Sequence, residues 1–327
     1  MSASSQPDPA LARILRGLDA TGGSGTAVGA DLLDVLAERL AGTELTTLLL
    51  EVFRRRATSM TPADVLRRYR GDRFVAPAPA DVRRLRCAED AMLTALGEHF
   101  DVLMLAPVLP LGTHWATGGV DPRNVIATIR GSEVAADPTN GLALEAAVRR
   151  RLLLDADPRS AEPVRLAATQ RVIRAQLFGG PVSFAHFQLL GLVTAGRDTG
   201  GRAFEREHLT EHLRFAANGL TRAGLTGVTI AITCLDEPFR QVQADVAHAL
   251  SGQAGVAVTQ APDRESGAYY RGLCFKVFVA GPEGERLEVA DGGFVDWTAK
   301  LLENRKERLL ISGYGIDRVA IASSGAQ

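Results

Sequence analysis

Residues 169–196 read TQRVIRAQLFGGPVSFAHFQLLGLVTAG, two apolar runs on either side of a Gly-Gly-Pro stretch. Runs of this kind around a turn-forming tripeptide predict a long β-hairpin, whose two strands run antiparallel. Further apolar runs at 125–129, 164–173, 228–234, 273–279 and 309–312 predict short strands. Apolar spacing of three and four predicts helices at 142–154, 204–217, 239–250 and 296–302. Many strands with few regular crossovers imply an α+β fold around a mostly antiparallel sheet flanked by helices, a two-layer core. The helices at 81–99 and 204–217 are expected to pack against that sheet.

The chain ahead of this core follows another pattern. Helical periodicity at 9–18, 30–40 and 44–56 is separated by ATGGSGTA and the turn at Gly42. A fourth helix is expected from Thr61, with Pro62 in its first turn and Asp64 as the reciprocal capping acid. FVAPAPAD at 74–81 then stiffens the chain, since each proline biases its predecessor away from helix. The expected division is a small helical N-terminal domain at 1–76 and a core at 77–327.

Composition narrows the function classes. A chain of 327 residues, 46% hydrophobic and 23% charged, can bury a large core. A formal net charge of −1 gives no global pull toward nucleic acid or an anionic membrane. Arginine clusters at 54–56, 67–70, 83–86 and 149–151 are expected on solvated helix faces. Cys87, Cys234 and Cys274 form no CxxC pair, so no disulfide framework or zinc knuckle is expected, and Cys234 and Cys274 fit core positions. No run is long and apolar enough to span a bilayer, and MSASSQPDPA lacks a signal-peptide pattern, so a soluble, cytoplasmic protein is expected.

Neither GxGxxG nor GxxxxGK[ST] stands at a strand-to-helix junction. HLTEH at 208–212 matches the H-x-x-E-H zinc signature, but no third ligand is identifiable and FEREHLTEHLRF is charged like a solvated helix face, so no metal site is expected. The remaining chemistry lies in arginines. Arg171 and Arg174 sit near the hairpin loop, and Arg318 follows ISGYG at a strand-to-helix transition where small residues leave backbone open to a ligand. Two guanidiniums from distant parts of the chain can clamp phosphate oxygens, each offering a rigid fork.

In chain order these segments resemble the catalytic core of class II aminoacyl-tRNA synthetases, nearest the histidyl type and the regulatory subunit of ATP phosphoribosyltransferase. Helix 81–99 with VLMLAPVLPLG resembles motif 1, RVIRAQ…FQLLGLVTAG motif 2 and GYGIDRV motif 3. SGAYYRGLCFKVFV is similar to the YYTG-type segment through Tyr269, Tyr270, Gly272 and Phe275, and DGGFVDW to GGRYD through Gly292, Gly293 and Asp296. The resemblance implies ATP and Mg2+ as cofactors and a homodimer formed through motif 1. It places Arg174 at the α-phosphate and carboxylate, Gln176 beside it, and Arg318 at the adenine and γ-phosphate. Tyr269, Tyr270 and Asp296 would line the acyl pocket, with Thr139 from the segment DPTNG also at the substrate; no metal ligand is assigned.

The departures matter too. The family's motif 2 glutamates become Gln176 and Val193, R-P-E-G-T becomes Asp137, Pro138, Thr139, Asn140 and Gly141, the arginine before YYTG becomes Glu265, and that of GGRYD becomes Phe294. A pocket that has lost or inverted these polar partners is not expected to take histidine. Only nine residues follow Arg318, so ordinary tRNA charging is not expected either. Two functions stand open. One is ATP-dependent activation of an amino acid or other small carboxylic acid as an acyl-adenylate, for an acceptor the sequence does not name. The other is a catalytically inactive paralogue that senses a metabolite and regulates a protein partner.

Overall fold

The computed structural model describes residues 9–21, 28–176, 184–261 and 269–323. Its contacts divide into two units, one running up to Arg68 with Ile129–Gly131, the other comprising Tyr69–Thr128 and the chain from Ser132 onward. The division falls inside a helix, ahead of the proline-rich stretch.

The first unit holds α1 (Pro9–Thr21), α2 (Val28–Asp34), α3 (Gly42–Thr58) and most of α4 (Pro62–Gly71). The periodicity expected over 30–40 divides, because α2 widens into a π-helical turn at Val35–Arg39. Thr61 and Asp64 form the reciprocal cap, Asp64 N–H donating to Thr61 Oγ1 at 3.2 Å and Thr61 N–H to Asp64 Oδ2 at 3.1 Å. No residue of α3 or α4 is buried.

The second unit opens with α5 (Val82–Thr94), capped by Asp81, whose carboxylate accepts from the N–H groups of Arg83 and Arg84. This helix ends earlier than 99, since the chain turns at Gly97 to bury Phe100. The apolar run after it yields two short strands, β1 (Asp101–Val102) and β2 (Val108–Pro110). Then come α6 (Thr113–Gly118), β3 (Ser132–Val134), α7 (Pro138–Ala156), β4 (Val164–Ile173), β5 (His186–Arg197) and α8 (Ala203–Arg222). The chain finishes with β6 (Val228–Cys234), α9 (Arg240–Leu250), β7 (Val256–Ala261), β8 (Arg271–Ala280), β9 (Arg286–Val295), α10 (Trp297–Leu301), β10 (Glu307–Gly315) and α11 (Ile316–Ala322). The strand expected at 125–129 is only a bridge from Ala127 to Glu133.

Among the described residues, eight strands form one sheet in the order β1-β4-β5-β10-β9-β8-β6-β7, while β2 and β3 pair separately. The hairpin β4–β5 is antiparallel from Val164↔Ala195 to Ile173↔His186, and β10 continues that pairing along β5. Parallel pairs occur only at the edges, β1 with β4 and β6 with β7. The sheet is mostly antiparallel, as expected from many strands with few regular crossovers.

Side chains alternate between the two faces of each strand. Leu190 and Leu192 of β5 and Leu310 and Tyr314 of β10 join residues of α5, α8, α9 and α11 in one core. Val193, Ala195, Leu309 and Ile311 join Leu142, Ala143 and Ala146 of α7 in another. Helices therefore cover both faces, and α7 makes a third layer where two were expected.

Two further expectations fail for one reason. HLTEH is not a solvated face: His208 and His212 are buried, as are Glu205 and Thr210. The Arg149–Arg151 cluster is not solvated throughout either, for Arg150 is fully buried and paired with Glu307. In both cases tertiary contacts engage groups that look solvent-facing in the sequence: His212 with Thr194 and Ser312, Glu205 with Arg308, and Arg150 with Glu307. Of the cysteines, Cys274 is buried, Cys234 half-buried and Cys87 exposed.

Candidate functional site

Arg174 directly follows β4, where its N–H still pairs with Ala185 O at 2.8 Å. Its side chain is fixed from the start of α7: Nε donates to Ala136 O at 3.0 Å and Nη2 to Asp137 Oδ2 at 3.0 Å. The guanidinium lies 5.1 Å from the centre of the Phe187 ring. Asp137 is also the N-cap of α7, its Oδ1 accepting from the Thr139 N–H at 2.9 Å and the Thr139 hydroxyl at 2.7 Å. One carboxylate thus starts the helix and orients the arginine.

Ala136 is held in turn by His114. The backbone N–H of Ala136 donates to His114 Nε2 at 3.0 Å, which leaves the proton on Nδ1, facing Glu133 Oε1 at 2.5 Å. Burial pushes the Glu133 carboxyl up, but the N–H groups of His114 and Gly112 and the His114 ring outweigh it and hold it below the usual range.

Arg318 enters from the first turn of α11. Its Nη1 donates to Glu288 O at 2.9 Å on β9, and the Glu288 carboxylate pairs with Lys276 at 2.8 Å. Beside it, Asp317 accepts from the Gln188 N–H through Oδ2 at 2.5 Å, while its Oδ1 is buried with no partner among the described residues. Tyr270 donates its hydroxyl to Asp291, and burial, first of all, pushes that phenol well above the usual value.

These groups converge on a cavity of about 520 Å³, within the size range of small-molecule sites. Arg174, Gln176, Arg318, Thr139, Tyr269 and Tyr270 all line it. Asp296 does not line it; its carboxylate pairs with Lys300 at 2.9 Å and Arg271 at 3.4 Å. Arg171 lies on the same hairpin as Arg174 but binds His186 instead, Nε to Nδ1 at 2.9 Å. Gly313 and Gly315 of β10 line the cavity without side chains to fill it, and a Cβ on Gly313 would meet nothing closer than 3.9 Å.

Sequence reasoning missed Glu288, Asp291, Asp317, His114 and Trp297 as lining residues. Asp317 precedes Arg318 in GYGIDRV and Trp297 follows Asp296 in DGGFVDW, so both were adjacent to the signal. Among the described residues, Asp137, Glu288, Asp291 and Asp317 set four carboxylates against the guanidiniums of Arg174 and Arg318 in the lining.

No known family profile and no curated protein matches this sequence. Solved structures do. The apo histidyl-tRNA synthetase of S. aureus aligns with a TM-score of 0.56 at 14% identity, over 75% of this chain and 66% of that one. A Bacillus halodurans protein described as an ATP phosphoribosyltransferase regulatory subunit/histidyl-tRNA synthetase gives a TM-score of 0.54 at 15% identity, over 76% of this chain and 83% of its own. A histidine–tRNA ligase subunit from Alicyclobacillus acidocaldarius gives a TM-score of 0.54 at 15% identity, over 76% and 95%. Identities this low speak to architecture alone. The antiparallel sheet, its flanking helices and these alignments agree: the chain has a class II synthetase-like fold.

Proposed function

We propose that this protein activates a small carboxylic acid with ATP, forming an acyl-adenylate in the cytoplasm without ordinary tRNA charging. The observation that carries this reading is that Arg174 and Arg318, 144 residues apart in the sequence, line one cavity together with Gly313 and Gly315. Arg174 with Gln176 would hold the α-phosphate and the carboxylate of the acid, and Arg318 the adenine and γ-phosphate. ATP, when bound, supplies the adenylyl group that makes a carboxylate reactive toward an acceptor. The chain's own part is to bring the two anionic groups together and neutralise their charge, which demands positioning more than a covalent nucleophile. The donor set fits a nucleotide. It offers no cage for a metal, since no group of three or more His, Cys, Asp or Glu suited to one occurs among the described residues. Magnesium fits only as an ion carried in on phosphates.

Calorimetric titration with ATP and Mg2+ tests the reading. Arg174→Ala or Arg318→Ala should each remove a charge-assisted contact of about 1.5–3 kcal/mol, a roughly tenfold to hundredfold loss of affinity. Arg171→Ala, outside the cavity, should leave affinity unchanged. No binding at millimolar ATP sinks the proposal.

One observation favours a second reading, a metabolite-sensing regulatory subunit. Among the described residues the lining carries more carboxylates than guanidiniums, and Arg174 is already paired with Asp137, which disfavours a purely anionic ligand. Binding of an acid with no ATP-dependent pyrophosphate release would select it. Under either reading we propose self-association through the apolar surface around β1 and β2.

A further inference from the structure

His114 of α6 and Glu133 of β3 form a buried imidazole–carboxylate pair that no step of the proposed reaction uses; their side chains are 2% and 5% exposed. The turn into α6 sets up the pair. Gly112 stands at φ 87°, in the left-handed region, and its N–H donates to Glu133 Oε2 at 2.9 Å. The His114 N–H donates to Oε1 at 2.8 Å, and His114 Nδ1 lies 2.5 Å from the same oxygen. A carboxylate held by two backbone donors stays ionised inside the fold, and an ionised carboxylate can only accept. Nδ1 therefore carries a proton.

The other ring nitrogen faces the support of Arg174. Leading out of β3, backbone partners fix the chain: the Val134 N–H donates to Ile126 O at 2.8 Å, the Ala135 N–H to Pro107 O at 3.1 Å, and Ala135 O accepts from the Ile173 N–H at 3.1 Å. At Ala136 a side chain takes over. Its N–H donates to His114 Nε2 at 3.0 Å, while its carbonyl accepts from Arg174 Nε at 3.0 Å. Asp137, next in the chain, accepts from Arg174 Nη2 at 3.0 Å. A ring that turned over, or carried its proton on Nε2, would set donor against donor at the Ala136 N–H. Both acceptors of the guanidinium would then shift, and a forked contact to an anion depends on the plane in which that fork is held.

We propose that His114 is a positioning residue for Arg174: Glu133 locks its ring in the Nδ1–H tautomer, and the bare Nε2 anchors the residue whose carbonyl orients the guanidinium. This deepens the reading above and rests on Arg174 being the arginine that meets the ligand.

Nitrogen-15 NMR of the whole chain at neutral pH tests the relay without any ligand. The ring resonances that His114→Gln removes should carry the signature of the Nδ1–H tautomer. An Nε2–H tautomer or a doubly protonated ring overturns the proposal. The Arg174 Nε–H resonance, identified by its loss in Arg174→Ala, should persist in His114→Gln, whose amide oxygen can reach the Nε2 position. In His114→Leu it should shift or exchange away; no change there, or equal loss in both variants, overturns the proposal. Calorimetry with ATP and Mg2+ adds the coupling. His114→Leu should weaken binding by about tenfold, but by less than about twofold where Arg174 is already alanine. A merely structural defect would weaken both backgrounds alike, and that result overturns the proposal too. Circular dichroism checks the folding of each variant; should His114→Leu not fold, the wild-type tautomer and the Arg174 signal in His114→Gln decide. Failure of wild type to bind ATP removes the adenylation reading, while the tautomer and the Arg174 resonance still decide the relay, so the two failures are distinguishable.

Discussion

Arg150 of α7 and Glu307 of β10 are both fully buried and joined by two hydrogen bonds, Nε to Oε2 at 2.8 Å and Nη2 to Oε1 at 2.9 Å. The same guanidinium donates to Ser160 O and Glu162 O, closing the turn between α7 and β4. Breaking a buried pair strands the other charge. Arg150→Ala should therefore destabilise the fold by about 3–5 kcal/mol in urea unfolding, whereas Arg150→Met with Glu307→Leu should recover most of that loss. His212 is buried without charge: Thr194 Oγ1 lies 2.9 Å from Nε2 and Ser312 Oγ 2.6 Å from Nδ1, bridging α8 to β5 and β10. Burial, opposed by the Glu211 charge and helped by His208 and Arg165, holds this imidazole down to about 3. The unfolded chain takes up a proton near the ordinary His value of about 6.5 while the folded one does not. Stability should thus fall as pH drops below that value, by up to about 1.4 kcal/mol per unit. For Glu211, burial raises the carboxyl, but hydrogen bonds from His208 and Arg165 prevail and hold it at about 2. Its contribution is complete above the usual carboxylate range and is lost toward pH 2, the same direction. Thermal unfolding from pH 7 to pH 4 should show the loss, and His212→Gln should flatten its upper part.

At the level of elements, β9 and α8 show what pattern reading overlooks. β9 contains Gly292 and Gly293, which weaken a strand signal, yet neither position has room for a side chain. A Cβ on Gly292 would lie 2.5 Å from Ile311 O, and one on Gly293 would lie 2.7 Å from the Tyr270 ring. Gly293→Val should destabilise by about 1–3 kcal/mol through overpacking and displace Tyr270 from the cavity wall. Gly252→Ala, with nothing within 4 Å, should stay within about 0.5 kcal/mol; chemical denaturation of both variants checks the contrast. In α8 the charged stretch misled for the converse reason. Arg165 of β4 pairs with Glu211 at 3.0 Å and Arg308 of β10 with Glu205 at 3.3 Å, so acids that look solvent-facing serve the sheet.

Across the second unit, Val102, Met104, Val108, Leu111 and Trp115 are exposed along one short segment, with Val148 and Leu152 exposed on α7. The ion pair between Arg149 and Asp101 at 2.5 Å brings these two stretches side by side. Exposed apolar side chains on neighbouring stretches suit an interface. For the proposed self-association, light scattering at micromolar concentration should give twice the monomer mass, and Met104→Asp with Leu111→Asp should restore the monomer. A monomeric wild type counts against it.

The sequence by itself determined the antiparallel sheet. The strands at 164–173 and 186–197 follow one another across a single connection and pair antiparallel, and the Thr61–Asp64 cap is a local interaction encoded within four residues. It also singled out Arg174 and Arg318, because an arginine after a strand end and another after a glycine-rich strand are visible one segment at a time. Only the tertiary structure decided that the two line one cavity, that Asp137 already occupies Arg174, and that Asp296 lies outside while Asp291, Asp317 and Trp297 lie in the wall. The reason is physical: β10 sets Gly313 beside Asp291 of β9 through strand register, and α11 carries Asp317 to the Gln188 N–H of β5. Register and packing join segments tens to more than a hundred residues apart, and no local pattern in the chain records which side chains then meet.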